Sequence, residues 1–344
     1  MDNLNQQASL VFDMIHDSSK IDESSITVII DFVIDLCHQS YFDVLETVDI
    51  LHNLNKLKDY REYHGYKDHP SIPKILSDIG NIMLETSSSQ LALPFFMEQL
   101  RIEKYYLGGS HPDLASVLFN IGQVYERNDQ MAMAQKHFGE ALSLLSKHNR
   151  KGRLYPSVLY HIGLTNYRQS LYKNANEYFN LAIVEYQNAY NDFDPTVAEI
   201  HMKVGQLQLE IGKLQDAMDN FLKALMIIRM VFGNNYSQIT ECLYGIGLIH
   251  EARDEHKEAI NVLYQALTIA ENGEVDNDDI TLLILHRIGL LYQSIEETEN
   301  ATAVFDDLKN IIKSKACDDE AEDKLLSSFG LNCCSESYPA AAAA

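Results

Sequence analysis

Residues 118–141 read LFNIGQVYERNDQMAMAQKHFGEA, and the spacing inside this stretch returns along the chain. Its Ile121-Gly122 pair has counterparts at Ile79-Gly80, Ile162-Gly163, Val204-Gly205, Ile246-Gly247 and Ile288-Gly289, so successive glycines lie 42, 41, 42, 42 and 42 residues apart. Twelve residues after each glycine stands an alanine: Ala92, Ala134, Ala175, Ala217, Ala259 and Ala301. One structural unit repeated six times accounts for both regularities.

The same register turns spacing into packing. Four residues before the glycine come Leu76, Leu118, Leu159, His201, Leu243 and Leu285; sixteen after it come Phe96, Phe138, Phe179, Phe221, Leu263 and Phe305. Nineteen after it stand Gln99, Ala141, Ala182, Ala224, Ala266 and Leu308. The offsets up to the glycine share one helical stripe, and the later ones, spaced by four and three, share the stripe of a second helix. Each repeat is therefore predicted to be a pair of helices. Glycine inside a helix costs about 0.5–1 kcal/mol relative to alanine, so its recurrence calls for a packing reason. Close approach of the two backbones, with the phenylalanine or leucine filling the space beside them, supplies one.

These positions resemble the tetratricopeptide repeat, with Tyr125 and Tyr292 in its tyrosine slot and Met83, Asn166, Gln208 and His250 departing from it; the chain has no tryptophan. The resemblance implies an all-α, right-handed superhelical solenoid of helix hairpins. The period of 42 exceeds the usual one of about 34 and is similar to the repeats of the kinesin light chain family. Gly108-Gly109-Ser110-His111-Pro112-Asp113-Leu114-Ala115 is similar to that family's inter-repeat junction, with partial versions at His69-Pro70 and Asp194-Pro195. No long heptad coiled coil accompanies the repeats, so motor binding does not carry over.

Domain organisation follows from the register. Residues 69–316 hold the six repeats as one elongated domain, in which each unit contacts mainly its neighbours. Residues 26–68 read as a degenerate capping repeat, with His38 where the glycine would stand, and 1–25 as a polar segment with a short helix around Leu10 to Ile15. Beyond the repeats, 317–344 reads as an acidic linker from Asp318 to Asp323, a short cap helix at Leu325, Leu326 and Phe329, and a disordered tail.

A formal net charge of −23 argues against nucleic acid as a partner, because phosphate-backbone affinity comes from lysine and arginine. Five cysteines, Cys37, Cys242, Cys317, Cys333 and Cys334, form no C-x-x-C pair and no disulfide framework. The first residues lack a basic segment followed by an apolar core, and no run approaches a membrane span. A cytoplasmic location is the expectation.

Motifs for chemistry are absent. There is no H-E-x-x-H, no G-x-S-x-G and no phosphate-binding G-x-x-x-x-G-K-[ST]. No cofactor, metal or catalytic residue is expected, and His64 and His69 read as surface groups. In tetratricopeptide solenoids the first helix of each pair lines a concave groove, so the resemblance selects the residues three and two before the glycine and one, four and five after it as exposed. The groove candidates are Phe119, Asn120, Gln123, Arg127, Tyr160, His161, Tyr167, Arg168, Lys203, Tyr244, His286 and Arg287. Asn120 matches an asparagine that kinesin light chain repeats use for cargo peptides. Aromatic rings mixed with amides and dispersed cations suit an extended or helical peptide better than a carboxylate clamp. The expected function is a non-catalytic scaffold or adaptor for a protein or peptide partner; the alternative is a structural subunit of a larger complex.

Overall fold

The structure, a computed structural model, describes residues 72–315 apart from 86–88, 149–151, 191–192, 234–236 and 273–277, together with 328–329. The expected segments 1–25 and 26–68 lie outside the described residues, as does 317–344 except for Ser328 and Phe329. Among the described residues there are twelve α-helices and no strand. They are α1 (Ile72–Glu85), α2 (Ala92–Leu107), α3 (Leu114–Arg127), α4 (Met131–His148), α5 (Leu154–Arg168) and α6 (Tyr172–Ala189). Then follow α7 (Pro195–Glu210), α8 (Leu214–Phe232), α9 (Ser237–Ala252), α10 (His256–Asn272), α11 (Asp278–Ser294) and α12 (Thr298–Lys315). Every recurring glycine lies on an odd-numbered helix and every recurring alanine on the even-numbered helix after it.

Contacts divide the chain into two compact units, the first ending at Glu185 and the second beginning at Tyr186. In the first unit α1 packs on α2, α3 on both α2 and α4, and α5 on α4, while α3 also touches α1 and α5. Within the second unit consecutive helices pack from α7 to α12, and α9 also touches α7 and α11. This is the arrangement of stacked helix hairpins, with first helices side by side.

The glycine has a steric cause in all six repeats. A Cβ placed on Gly122 would stand 2.4 Å from the ring of Phe138; the same test gives 2.6 Å for Gly80 with Phe96 and 2.5 Å for Gly163 with Phe179. It gives 2.9 Å for Gly205 with Phe221, 2.7 Å for Gly247 with Leu263 and 2.5 Å for Gly289 with Phe305. No side chain fits there without displacing the large residue sixteen positions on. The alanines are as closely confined, Ala92, Ala134, Ala175, Ala217 and Ala259 all being fully buried.

A second regularity is written in the backbone. Seven residues after the glycine, Asp129, Ser170, Gly212, Asp254 and Glu296 have φ of 58°, 59°, 75°, 59° and 63°. The Asp129 N–H donates to the Glu126 carbonyl at 3.1 Å and the Gln130 N–H to the Tyr125 carbonyl at 2.8 Å, and the same pair of bonds recurs at the other four corners. That pattern is the Schellman motif, which satisfies the last carbonyls of the first helix while turning the chain into the second. Four of the five corners hold a left-handed conformation without glycine, which costs an L-residue roughly 1–2 kcal/mol. Glu296→Gly is therefore expected to raise the urea midpoint of the second unit, and Gly212→Ala to lower its unfolding free energy by about 1 kcal/mol. A Glu296→Gly midpoint at or below the parent's would show that the left-handed strain at this corner is not relieved.

Candidate functional site

The side-by-side first helices of the first unit form a continuous face joined by a ladder of polar contacts. Asn120 Nδ2 on α3 donates to Asn81 Oδ1 on α1 at 2.9 Å. One repeat on, His161 of α5 takes the place of Asn120, and its Nε2 lies 3.5 Å from Gln123 Nε2. His161 Nδ1 approaches Glu126 Oε2 at 2.6 Å, so an imidazole carrying its proton on Nδ1 donates to the carboxylate and leaves Nε2 to accept from the Gln123 amide. The rungs follow one rule: the residue two before a glycine meets the residue one after the previous glycine.

The arginines follow a rule of their own. Arg127 Nη1 donates to the carbonyl of Leu84, and Arg168 Nη1 donates to the carbonyl of Glu126 at 3.1 Å. Leu84 and Glu126 sit in the last turns of α1 and α3, where the helix dipole favours a cation; the Glu126 carbonyl accepts from Arg168 in addition to the Asp129 N–H at the corner. Each arginine thus caps the first helix of the preceding repeat, and both are committed to the fold. A carboxylate clamp would need such cations free.

The aromatic candidates divide by burial. The His161 ring centroid lies 5.0 Å from Phe119, 5.4 Å from Tyr160 and 5.5 Å from Phe138, so the imidazole is wedged among three rings. Phe119, Asn120, Gln123, His161 and Tyr167 are half-buried, with Tyr167 against Tyr172 at 6.0 Å, and Arg127 and Arg168 are exposed. Tyr160 is buried at 5% exposure and Met202 at 2%, which corrects the expectation that their position faces solvent. Both lie deep enough between neighbouring helices to pack, and Tyr160 rests on Phe179 at 5.8 Å. Glu126 was also expected to be exposed and is buried at 4%, its Oε1 having no hydrogen-bond partner among the described residues.

On the second unit Lys203 and Tyr244 are half-buried on α7 and α9, and Lys203 Nζ donates to Gln206 Oε1 at 3.3 Å. Arg287 of α11 approaches Glu251 Oε1 at 3.4 Å, repeating the spacing of the His161 and Glu126 pair. His286 is half-buried, with its ring 6.2 Å from Phe305 and 5.2 Å from Phe329. Burial pushes the Glu241 carboxyl above its ordinary value, with nearby Lys203 opposing that rise and Glu199 adding to it.

His201 stands where five repeats carry leucine, and it is buried at 7% exposure with Nδ1 2.7 Å from Asn220 Oδ1. Burial holds its imidazole below the ordinary value of 6.5, the Asn220 hydrogen bond opposing the shift. The folded chain therefore takes up this proton less readily than the unfolded chain. The resulting stability is fully present above pH 6.5 and is lost as pH falls through the lowered folded value. His201→Leu is expected to reduce the drop in melting temperature between pH 7.5 and pH 5.5 relative to the parent chain. An equal drop in the two proteins would mean that His201 does not titrate in this range. Comparing the two proteins at each pH cancels the background of His137 and His286, also lowered by burial, and of Glu103, which burial raises.

Among the described residues no group of three or more His, Cys, Asp and Glu could hold a metal ion. No helix among them is long and apolar enough to cross a membrane. Cys242 is buried and free, its thiol pushed up to about 12 by burial, so it is a packing residue and no nucleophile.

Comparison with known proteins agrees with this geometry. A family model described as the tetratricopeptide repeat matches residues 71–147, and a second of the same description matches 240–272. The chain is 24% identical over 213 residues to the RxLR effector protein SFI4 of Phytophthora infestans, covering 60% of this chain and 62% of that one. It is 25% identical over 224 residues to the secreted RxLR effector protein RXLR-C07 of Plasmopara halstedii, covering 61% and 65%. In both cases the match spans less than two thirds of the relative's length. Protein KINESIN LIGHT CHAIN-RELATED 1 of Arabidopsis thaliana is 26% identical over 163 residues, 45% of this chain and 27% of that protein. The crystal structure of BtubC from P. vanneervenii superposes with a TM-score of 0.57 at 15% identity, covering 72% of this chain and 92% of that one, which speaks to fold alone. Residues 71–147 and 240–272 thus carry tetratricopeptide repeats, and the repeats are of the long, kinesin light chain-like kind.

Proposed function

We propose that this chain is a non-catalytic scaffold that holds a peptide or protein segment against the first-helix faces of its repeats. The observation that carries the reading is the half-buried row of Phe119, Asn120, Gln123 and Tyr167 on the first unit; on the second unit Lys203 and Tyr244 are half-buried on first helices of their own. Side chains of this mixed kind offer apolar contact and hydrogen bonds to a bound segment. The ladder beneath holds them rigid, so little entropy is lost on binding. Substituting Tyr160 or Arg168 would test folding instead, since one is packed and the other caps α3. The informative experiment places a photocrosslinking residue at Gln123 or Tyr244 and, as control, at Lys257 on the second-helix side. Partners captured at the first two positions and lost in Asn120→Ala/Gln123→Ala are the expected result. Partners captured only at the control position would sink the groove assignment.

Two effector relatives, one of them named as secreted, favour a second setting for the same scaffold: a protein exported to engage a target elsewhere. The five cysteines of the sequence, spaced without a disulfide framework, lead us to infer instead a reducing compartment such as the cytoplasm. Fractionation of native cells and medium separates the two, and recovery of the chain only from the medium would end the cytoplasmic reading.

A further inference from the structure

The outer face of α8 carries an apolar stripe that its own fold does not use. Leu222, Met226 and Met230 are spaced by four and are 49%, 52% and 62% exposed. At the same positions α4 has Gly139, Ser143 and Lys147 and α12 has Asp306, Asn310 and Ser314, while α2 keeps Met97 and Tyr105, α6 Val184 and α10 Tyr264, so α8 alone among these helices is apolar at all three. The repeat architecture therefore places these positions in solvent without asking for hydrophobic side chains, and a patch of this kind marks an interaction surface.

Charge specifies what would fit. At 100° per residue, Lys223 and Arg229 lie about 60° to either side of Met226, so a cation borders each edge of the stripe. Both are exposed, and among the described residues neither has an ion-pair partner. We propose that the outer face of α8 is a second docking surface, one that takes an amphipathic helix of a partner protein with leucine-type residues on its buried face and carboxylates along both edges. Such pairing combines an apolar seam with flanking charges, the logic by which helices choose partners. A second copy of this chain fits poorly: an antiparallel α8 pair centred on Met226 would set the two Lys223 side chains along one edge and the two Arg229 side chains along the other, like charge beside like.

The test uses the full chain and two synthetic helical peptides with the same leucine face, one edged by glutamate and the other by lysine, titrated by fluorescence anisotropy. The glutamate-edged peptide is expected to bind the better, against the pull of the chain's net charge of −23, which favours the other. Met226→Glu, a solvent-exposed change whose helicity is checked by circular dichroism, is expected to weaken that binding at least about tenfold. Lys223→Glu/Arg229→Glu is expected to reverse the peptide preference. Flat titrations with both peptides, indifference to Met226→Glu, or an unchanged preference after charge reversal would overturn the proposal. So would a dimer by light scattering that Met226→Glu dissolves, which would assign the face to a second copy.

Discussion

Gly122→Val is expected to destabilise the first unit by about 3 kcal/mol, the upper end for an overpacked core. The first added carbon alone would stand 2.4 Å and 2.5 Å from two atoms of the Phe138 ring, and that ring has no exposed surface through which to withdraw. It is held by Phe119 at 5.7 Å and His161 at 5.5 Å, so the clash is passed on to the first-helix ladder. Phe138→Ala by itself should cost about 3–5 kcal/mol through lost burial and a residual cavity. Combined with Gly122→Val it should cost less than the sum, by about 1–3 kcal/mol, because valine then enters the space the ring vacates. Urea unfolding followed by helical circular dichroism measures all four corners of the cycle. Strict additivity would mean that glycine and ring do not share one volume and that the recurrence of glycine needs another cause.

What the sequence disclosed was whatever a side chain repeats. Glycine, alanine and phenylalanine recur by type because each fills a fixed volume, and the hairpins with their contacts stand where those letters place them. The corners escaped notice for the converse reason. Asp129, Ser170, Gly212, Asp254 and Glu296 share a backbone conformation and no side-chain chemistry, so only φ reveals that they are one position. A search seven residues after each glycine for Asp, Ser or Gly would have found four of the five, and Glu296 would still have hidden.

The candidate face was legible to the level of the helix and no further. Asn120, Gln123 and His161 do lie on adjoining first helices and are brought into one ladder. Arg127 and Arg168 read as free cations because composition records charge without direction; in the fold each turns back to the end of the preceding helix. Burial of Tyr160 and Glu126 depends on how tightly neighbouring hairpins close over them, which a single-helix register does not carry.

Phe221→Ala should have the largest effect of any single truncation, at the upper end of about 3–5 kcal/mol. Its ring is 1% exposed and touches two glycine positions: a Cβ on Gly205 of α7 would meet it at 2.9 Å, and one on Gly245 of α9 at 2.4 Å. Both neighbouring backbones are bare of side chains at the contact, so neither can relax into the cavity, and cavity cost rises when the surroundings cannot collapse. The ring also spans the step from one hairpin to the next. In a repeat array stability is roughly a sum of hairpin and interface terms. Removing this interface term should therefore lower amide protection in α7, α8 and α9 while leaving α12 much less affected, as read by hydrogen exchange. Phe221→Leu should be milder, since Leu263 fills the same position against Gly247 in the following repeat. A loss below about 1 kcal/mol on truncation to alanine, or one spread evenly over the unit, would show that Phe221 is an ordinary core residue and does not couple one hairpin to the next.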